Sequence, residues 1–179
     1  MTKKNSQKPS PKIADRLARC RRRMKKRRVG AYLVSKRWDH YYLTGFTGED
    51  SAVLILPKAV HVISDGRFDE AINQECPWTQ RWMRKGSLNA EIAKVCKELK
   101  LRSVAIQADH RTLADQAEVH KRNRKTRFRT APPILAEMRR PKDGEELAIM
   151  RKAIRVAEDA FLAMRKTIRV GQTELEIAA

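Results

Sequence analysis

The sequence lacks the features that mark membrane-spanning, secreted and disulfide-stabilised proteins. No stretch approaches the roughly 18 to 20 apolar residues that a transmembrane helix needs, and residues 1–12 contain no apolar run like that of a signal peptide. These absences predict a soluble, cytoplasmic protein. The three cysteines are widely spaced and form no Cys-x-x-Cys pair, so neither a disulfide framework nor a zinc site is indicated. They are Cys20, Cys76 and Cys96, and we expect Cys96 to be a small core residue.

The common catalytic and metal-binding motifs are also missing. The four histidines form no His-x-His, His-x-x-x-His or His-Glu-x-x-His pattern, and no Gly-x-Ser-x-Gly segment is present. Asp109 and His110 come closest to a metal pair, but neighbours on a strand point to opposite faces. A ribonuclease H-like nuclease would need carboxylates on its first strand, and residues 31–35 carry none. We therefore expect no catalytic residue, no metal ligand and no cofactor on this chain.

Acidic residues are scarce at the start of the chain. The first 37 positions hold fifteen Lys or Arg against Asp15 alone, so most of the net charge of +19 lies there. The segment Arg16–Arg28 is able to contact phosphates or an anionic surface. A solvated helix face explains the same charges. We expect weak, non-specific nucleic-acid binding, and a nucleic-acid or anionic-surface module built on this helix is the alternative function.

Helical and strand patterns alternate along the first 131 residues. Residues 1–12 are polar and predict a disordered tail, and from Ile13 apolar residues recur at helical spacing as far as Met24. Gly30 ends this helix. Further patterns predict strands over 31–34, 52–56, 60–64, 104–108 and 127–131, and helices over 38–46, 68–75, 88–100 and 113–123. This alternation predicts a three-layer α/β fold, with a mixed sheet flanked by helices.

A different pattern follows Pro132-Pro133. A long helix is predicted to run to about residue 168, with Asp143 as its cap and Glu146 completing a capping box. We therefore divide the chain into a tail (1–12), an α/β domain (13–140) and a linker helix with the start of another domain (141–179). Thr173 and Glu176 form a second capping box close to the last residue, so we expect a truncated helix there.

Three segments, taken together, resemble the N-terminal domain of the creatinase and Xaa-Pro aminopeptidase (prolidase-like) metallopeptidase family. They are Tyr42-Leu43-Thr44-Gly45-Phe46, Ser64-Asp65-Gly66-Arg67-Phe68 and Arg139-Arg140-Pro141-Lys142-Asp143-Gly144-Glu145-Glu146-Leu147. Their order and separations also fit that domain, over about residues 13–179. The resemblance implies the creatinase/prolidase type of sheet, about six-stranded and with a ribonuclease H-like motif. Residues 171–179 look like the opening of the family's pita-bread catalytic domain, whose five metal ligands have no counterpart here.

The same resemblance implies an activity and partners for the parent enzyme. It would remove an N-terminal residue that precedes proline, using two divalent metal ions (manganese, cobalt or zinc) in its catalytic domain to activate a bridging water. The present chain would be inactive alone. Its partners would be its own C-terminal catalytic domain, a second copy in a homodimer, and the peptide substrate in the cleft of that second copy. Phe68 stands where the family often has Tyr, so creatinase, prolidase and aminopeptidase activities all remain open.

Arg67 and Phe68 are the candidate substrate-binding residues. Arg67 follows a strand and a glycine, a placement that can project its guanidinium from the sheet toward a carboxylate in the partner's cleft. The alternative is an ion pair within the domain, with Asp65 or Asp69. The surrounding motif would support this edge, and Trp38 would be a core or interface aromatic, as would Tyr42. The supporting motif residues are Tyr42, Thr44, Gly45, Phe46, Asp65 and Gly66.

Overall fold

The structure, a computed structural model, describes residues 7–178. Over this range the helices are α1 (Pro11–Lys26), α2 (Arg37–Thr44), α3 (Asp69–Glu75), α4 (Leu88–Glu98), α5 (Leu113–Arg122), α6 (Ile134–Arg139), α7 (Gly144–Arg165) and α8 (Glu174–Ala178). The strands are β1 (Tyr32–Val34), β2 (Ala52–Ile55), β3 (Val60–Asp65), β4 (Gln80–Arg84), β5 (Ser103–Ile106) and β6 (Arg127–Thr130). None of the described helices is long and apolar enough to cross a membrane.

The six strands form one mixed sheet in the order β4-β3-β2-β1-β5-β6. Strand β2 runs antiparallel to both of its neighbours, and the other three pairings are parallel. The last residues of five strands and the first residue of β2 therefore lie at one end of the sheet, which we call the carboxyl end. The predicted α/β fold, with a mixed six-stranded sheet flanked by helices, is confirmed.

Hydrophobic residues are buried on both faces of this sheet. Successive residues of β1 point to opposite faces, so Tyr32 belongs to one buried cluster and Leu33 to the other. The first cluster includes the apolar face of α1, as its spacing predicted, and the second includes residues of α4 and α5. Helices therefore cover the sheet from both sides, which gives the three layers.

The three cysteines are free thiols in this core. Each is at most 1% exposed, and burial raises the pKa of Cys20 to about 12, of Cys76 to about 11 and of Cys96 to about 12. All three thiols are therefore protonated near neutral pH. The prediction that Cys96 is a core residue is confirmed.

Several helix boundaries differ from the prediction by one to three residues, including those of α1 and α7. Helix α1 begins at Pro11 rather than Ile13, because the Ser10 hydroxyl accepts a hydrogen bond from the Ile13 amide (3.4 Å) and proline suits the first turn. Residues 11 and 12, assigned to the disordered tail, are thus helical, and residues 1–6 of that tail lie outside the described residues. Helix α7 ends at Arg165, three residues earlier than expected.

Two elements were not predicted at all. Strand β4 pairs in parallel with β3 at one edge of the sheet, with Arg84 opposite Asp65. Its sequence, Gln-Arg-Trp-Met-Arg, has no alternation of apolar and polar residues, and it includes two arginines, charged residues that are common on edge strands. Helix α6 follows Pro133, where proline was interpreted only as a break.

The chain divides into two compact units, residues 1–138 and 139–179. The second consists of α7 and α8, and both helices begin with the predicted capping boxes. Asp143 and Glu146 exchange hydrogen bonds of 2.9 Å, and the Thr173 hydroxyl and amide both bond to the Glu176 carboxylate. The division into domains at residue 140 stays a prediction.

Candidate functional site

The Asp65-Gly66-Arg67-Phe68 turn leaves β3 at the carboxyl end of the sheet. The Asp65 carboxylate accepts hydrogen bonds from the Arg67 amide (3.0 Å), from its Nε (3.0 Å) and from its Nη2 (2.7 Å). The Arg67 side chain is still 68% exposed. Arg67 therefore forms an ion pair with Asp65, one of the two acidic partners that the sequence offered. The other, Asp69, pairs with Arg81 at 2.9 Å.

Arg84 joins this turn from the neighbouring strand. It is the last residue of β4, and its Nη2 donates to Asp65 at 2.7 Å and also to Asp50, which precedes β2. The Arg67 Nη2 reaches the same Asp50 oxygen at 3.4 Å. Two arginines and two aspartates thus meet with no net charge, and we call these four residues the ionic cluster. Its inner members, Arg84 and Asp65, have side chains only 13% and 14% exposed.

The charges of the cluster fix its protonation state. The hydrogen bond from Arg67 is the main reason that the pKa of Asp65 falls to about 2, with a smaller contribution from the charge of Arg84. The same contact raises the pKa of Arg67. Both groups are therefore ionised at neutral pH. The Arg67 Nη1 makes no hydrogen bond within the described residues, so it remains available to an oxygen from outside.

The Tyr-Leu-Thr-Gly-Phe segment ends α2 directly behind this turn. Gly45 adopts a positive φ of 77°, the left-handed conformation that ends many helices, and its amide donates to the Tyr41 carbonyl at 2.8 Å. The Thr44 hydroxyl donates to the His40 carbonyl (2.7 Å) and accepts from the Phe46 amide (3.2 Å). These bonds fix the direction in which the chain leaves the helix.

The two phenylalanines of the motifs pack against each other. The Phe46 ring is fully buried and meets the Phe68 ring edge to face, with 6.2 Å between ring centroids. A Cβ at Gly48 would lie only 2.2 Å from the Phe46 ring, so glycine is required there by close packing. The Arg67 guanidinium carbon lies 5.4 Å from the centroid of the Phe68 ring. The Tyr-Leu-Thr-Gly-Phe segment therefore supports the Asp65-Gly66-Arg67-Phe68 turn through the contact between the two rings.

A cleft of about 600 Å³ adjoins the ionic cluster, and Asp50 and Arg84 belong to both. Its other walls include Ser35 and Arg37, which follow β1, and Arg111, which follows β5. Strand β1 has β2, the next strand in the chain, as its neighbour on one side of the sheet and β5 as its neighbour on the other, so the connections run in opposite directions from this point. In open α/β sheets such a switch point, beyond the carboxyl ends of the strands, is a common place for ligands.

Three lining residues of the cleft have unmet hydrogen-bonding capacity. The Ser35 Oγ, the His40 Nδ1 and the Arg84 Nε are buried and have no hydrogen-bond partner among the described residues. Burial lowers the pKa of His40, which is 1% exposed, to about 4, so its ring is neutral at pH 7. Because buried polar atoms are normally satisfied, this cleft is suited to a polar group that donates and accepts hydrogen bonds.

The described residues do not provide a metal site. No group of three or more His, Cys, Asp or Glu side chains in residues 7–178 is arranged to hold an ion. Asp109, half of the Asp109-His110 pair considered in the sequence, binds Lys36 at 3.1 Å instead. No metal-dependent step is therefore assigned to these residues.

Sequence reasoning found the turn at Arg67 but missed Arg84, His40 and Ser35. Arg84 lies on the strand that was not predicted, and it meets Asp65 only through the pairing of β4 with β3. His40 and Ser35 belong to no motif, and the sequence gives no signal of their burial. Of the predicted aromatics, Tyr42 is buried and Trp38 is 55% exposed.

Comparison with protein families and solved structures gives a consistent result. A model of the creatinase/prolidase N-terminal domain matches residues 16–140. A Xaa-Pro dipeptidase from Bacillus anthracis aligns with a TM-score of 0.84 and 23% identity over 92% of this chain and 46% of that one. An X-Pro aminopeptidase from Thermotoga maritima aligns with a TM-score of 0.71 and 29% identity over 86% of this chain and 46% of that one. The chain thus spans about half the length of these two relatives.

A shorter structure is covered almost completely. The N-terminal domain of the cytoplasmic peptidase PepQ from Mycobacterium tuberculosis aligns with a TM-score of 0.64 and 16% identity, over 70% of this chain and 98% of that one. At this identity the likeness concerns the fold alone. The search of curated proteins gave no match.

Proposed function

The chain belongs to the creatinase/prolidase N-terminal domain family, and from that premise we propose that it is the non-catalytic N-terminal domain of a Xaa-Pro aminopeptidase-like metallopeptidase. In that enzyme it shapes the substrate cleft and contributes to a homodimer. The parent hydrolyses the bond between an N-terminal residue and proline. Its two divalent metal ions, manganese, cobalt or zinc, are held by a catalytic domain beyond residue 179.

One observation carries this proposal: the ionic cluster at the carboxyl end of the sheet. Arg67 is held by Asp65 and backed by Phe68, yet most of its side chain faces solvent. An arginine that is oriented but exposed suits a peptide carbonyl or carboxylate presented by another subunit, because its conformational freedom is already reduced. Phe68 supplies an apolar contact beside it.

A further support is the apolar face of α7. Leu147, Met150, Ile154 and Phe161 recur on one side of this helix, and each is at least 39% exposed. Large exposed apolar patches mark interaction surfaces. The relatives of about twice this length suggest the occupant, a catalytic domain that follows in the same chain. The name of the Mycobacterium tuberculosis relative also favours a cytoplasmic location.

The decisive experiment replaces Arg67 by Ala in the full-length enzyme. Loss of one charge-assisted hydrogen bond, about 1.5–3 kcal/mol, predicts that kcat/KM falls about 10- to 150-fold, with the dimer and metal content unchanged. A loss in KM alone would mean ground-state binding, and a loss in kcat would mean transition-state stabilisation. Arg81→Ala is the matched control, because Arg81 also pairs with an aspartate on this surface, Asp69.

Two results would contradict the proposal. Unchanged kinetics in a folded, metal-loaded Arg67→Ala dimer would reduce Arg67 to its ion pair with Asp65. Hydrolysis of a Xaa-Pro-Xaa peptide by the 179-residue chain with manganese, cobalt or zinc, above a metal-only blank, would contradict its non-catalytic role. Comparing Xaa-Pro with Xaa-Pro-Xaa substrates in the full-length enzyme separates dipeptidase from aminopeptidase activity.

A further inference from the structure

A second cavity, of about 620 Å³, lies at the other end of the sheet, where α1 leads into β1. No acidic residue lines it, and we call it the basic groove. Its cationic lining residues are Arg21, Arg22, Lys25 and Arg28, and its other lining residues are Ala18, Met24, Val29, Gly30 and Pro57.

The cations of the basic groove are mostly unpaired. Arg21 donates to the carbonyls of Leu56 (3.0 Å) and Ala59 (3.3 Å), which attaches α1 to the turn between β2 and β3. The side chains of Arg22, Lys25 and Arg28, in contrast, form no hydrogen bond or ion pair within the described residues. Three positive charges therefore converge on one cavity without a counter-charge.

Other cations of the same segment do have acidic partners. Arg19 lies 3.6 Å from Asp15, and Arg27 lies 2.7 Å from Glu137. Helix C-termini generally favour positive charge, which explains the cations in the last turn of α1. This preference does not explain why the unpaired cations Arg22, Lys25 and Arg28 line one cavity. Mutual repulsion within the groove is relieved most directly by an anionic ligand.

We propose that the basic groove binds single-stranded nucleic acid. A nucleotide carries both groups that the groove accommodates: a phosphate for the guanidinium forks of Arg22 and Arg28, and a planar base for the apolar ring of Pro57. Arginine is suited to both roles, since its guanidinium also stacks on bases. A duplex keeps the faces of its bases stacked inside, so it would present its phosphates and base edges but no base face. This inference does not depend on the peptidase proposal.

The test is the salt dependence of binding, measured with the full chain and a short fluorescent oligouridine. If four cations neutralise phosphates, log Kd should change with log salt with a slope of about 3, so binding weakens about 50-fold between about 50 and 200 mM salt. The triple variant Arg22→Gln, Lys25→Gln, Arg28→Gln leaves Arg21 alone, and its binding should weaken only about threefold over the same range. Its affinity at the lower concentration should also be far below that of the parent chain.

A matched control removes the same charges elsewhere. Arg102→Gln, Lys121→Gln, Arg124→Gln also neutralises two arginines and one lysine, all exposed and none lining the groove. It should keep a slope near that of the parent, and thermal unfolding should show both variants folded. Equal losses of affinity in the two triple variants would mean that binding depends on net charge alone, which would overturn the assignment of the site to the basic groove. Displacement by an acidic peptide at the same charge concentration, or preference for a duplex, would overturn the assignment to single strands.

Discussion

The two ends of one sheet carry arginines in opposite circumstances. At the carboxyl end, Arg67 and Arg84 are matched by Asp50 and Asp65, and the four charges cancel. At the other end, the cations of the basic groove have no acidic neighbour in the cavity lining. The first arrangement holds side chains in place, and the second leaves them free to meet a ligand.

This difference separates two uses of the same residue type. A paired arginine is oriented and gives geometric precision, but little of its charge is felt at a distance. An unpaired arginine attracts anions over a longer range and is poorly oriented. We therefore expect substitutions at the carboxyl end to change stability and kinetics, and substitutions in the groove to change salt-dependent binding.

The largest effect is expected at Arg84. Arg84→Met removes a cation that is 13% exposed and leaves Asp65 and Asp50 with only the exposed Arg67 as a shared cationic partner, so the free energy of unfolding should fall by about 3 kcal/mol. Arg67→Met should cost less than about 1 kcal/mol, because exposed ion pairs contribute little. Urea denaturation of both variants measures this. If the two variants lower the free energy of unfolding equally, the buried Arg84 does not contribute more stability than the exposed Arg67, which would contradict this prediction.

A comparable effect should appear on acidification. The pKa of His40 is about 4 in the folded chain, because of burial, and about 6.5 when unfolded. Between these values the unfolded chain binds a proton that the folded chain does not, so stability is lost as pH falls from about 6.5 to about 4, by up to about 3 kcal/mol. The low pKa of Asp65 contributes separately, because its stabilisation is lost only below about pH 4.

Variants at two histidines test whether His40 causes this loss of stability at acidic pH. His40→Gln should make the free energy of unfolding, measured by urea at several pH values, less steep in that window, whereas His120→Gln is the control at an exposed position. An unchanged pH dependence in His40→Gln would show that another group titrates there. His61, whose pKa is also lowered by burial, is the next candidate.

The smallest effect on stability is expected in the basic groove. The variant Arg22→Gln, Lys25→Gln, Arg28→Gln breaks no contact within the described residues, so its free energy of unfolding should change by less than about 0.5 kcal/mol. A slight gain would reflect relief of like-charge repulsion. Loss of more than about 1 kcal/mol, in the same urea assay, would mean that these cations hold α1 in place and are not reserved for a ligand.

The parts of the fold that the sequence predicts well are those with local signals. Helix α1 shows its apolar spacing, α7 its capping box at Asp143, and the buried strands their β-branched runs. Strand β4 shows none of these, because its side chains are half exposed and two of its five residues are arginines. Helix α6 begins directly after the Pro132-Pro133 pair, and such a pair usually indicates the end of a helix or strand.

The candidate site was predicted in part for the same reason. The Asp65-Gly66-Arg67-Phe68 turn is contiguous, so it stands out as a motif. The contacts of Arg84 with Asp65 and Asp50 join residues 19 and 34 positions apart, and they depend on strand register. The burial of His40 likewise depends on packing that no local pattern specifies. Whether Arg67 touches substrate stays a prediction.

The burial of the three cysteines also makes the molecule convenient for labelling. Only the thiolate reacts readily with maleimides or iodoacetamides, and the raised pKa values of Cys20, Cys76 and Cys96 keep these thiols protonated. A cysteine introduced at an exposed position, such as Lys25→Cys in the basic groove or Lys97→Cys on α4, would be the most reactive thiol. Fluorophores or spin labels could then be attached there with the three native residues left in place.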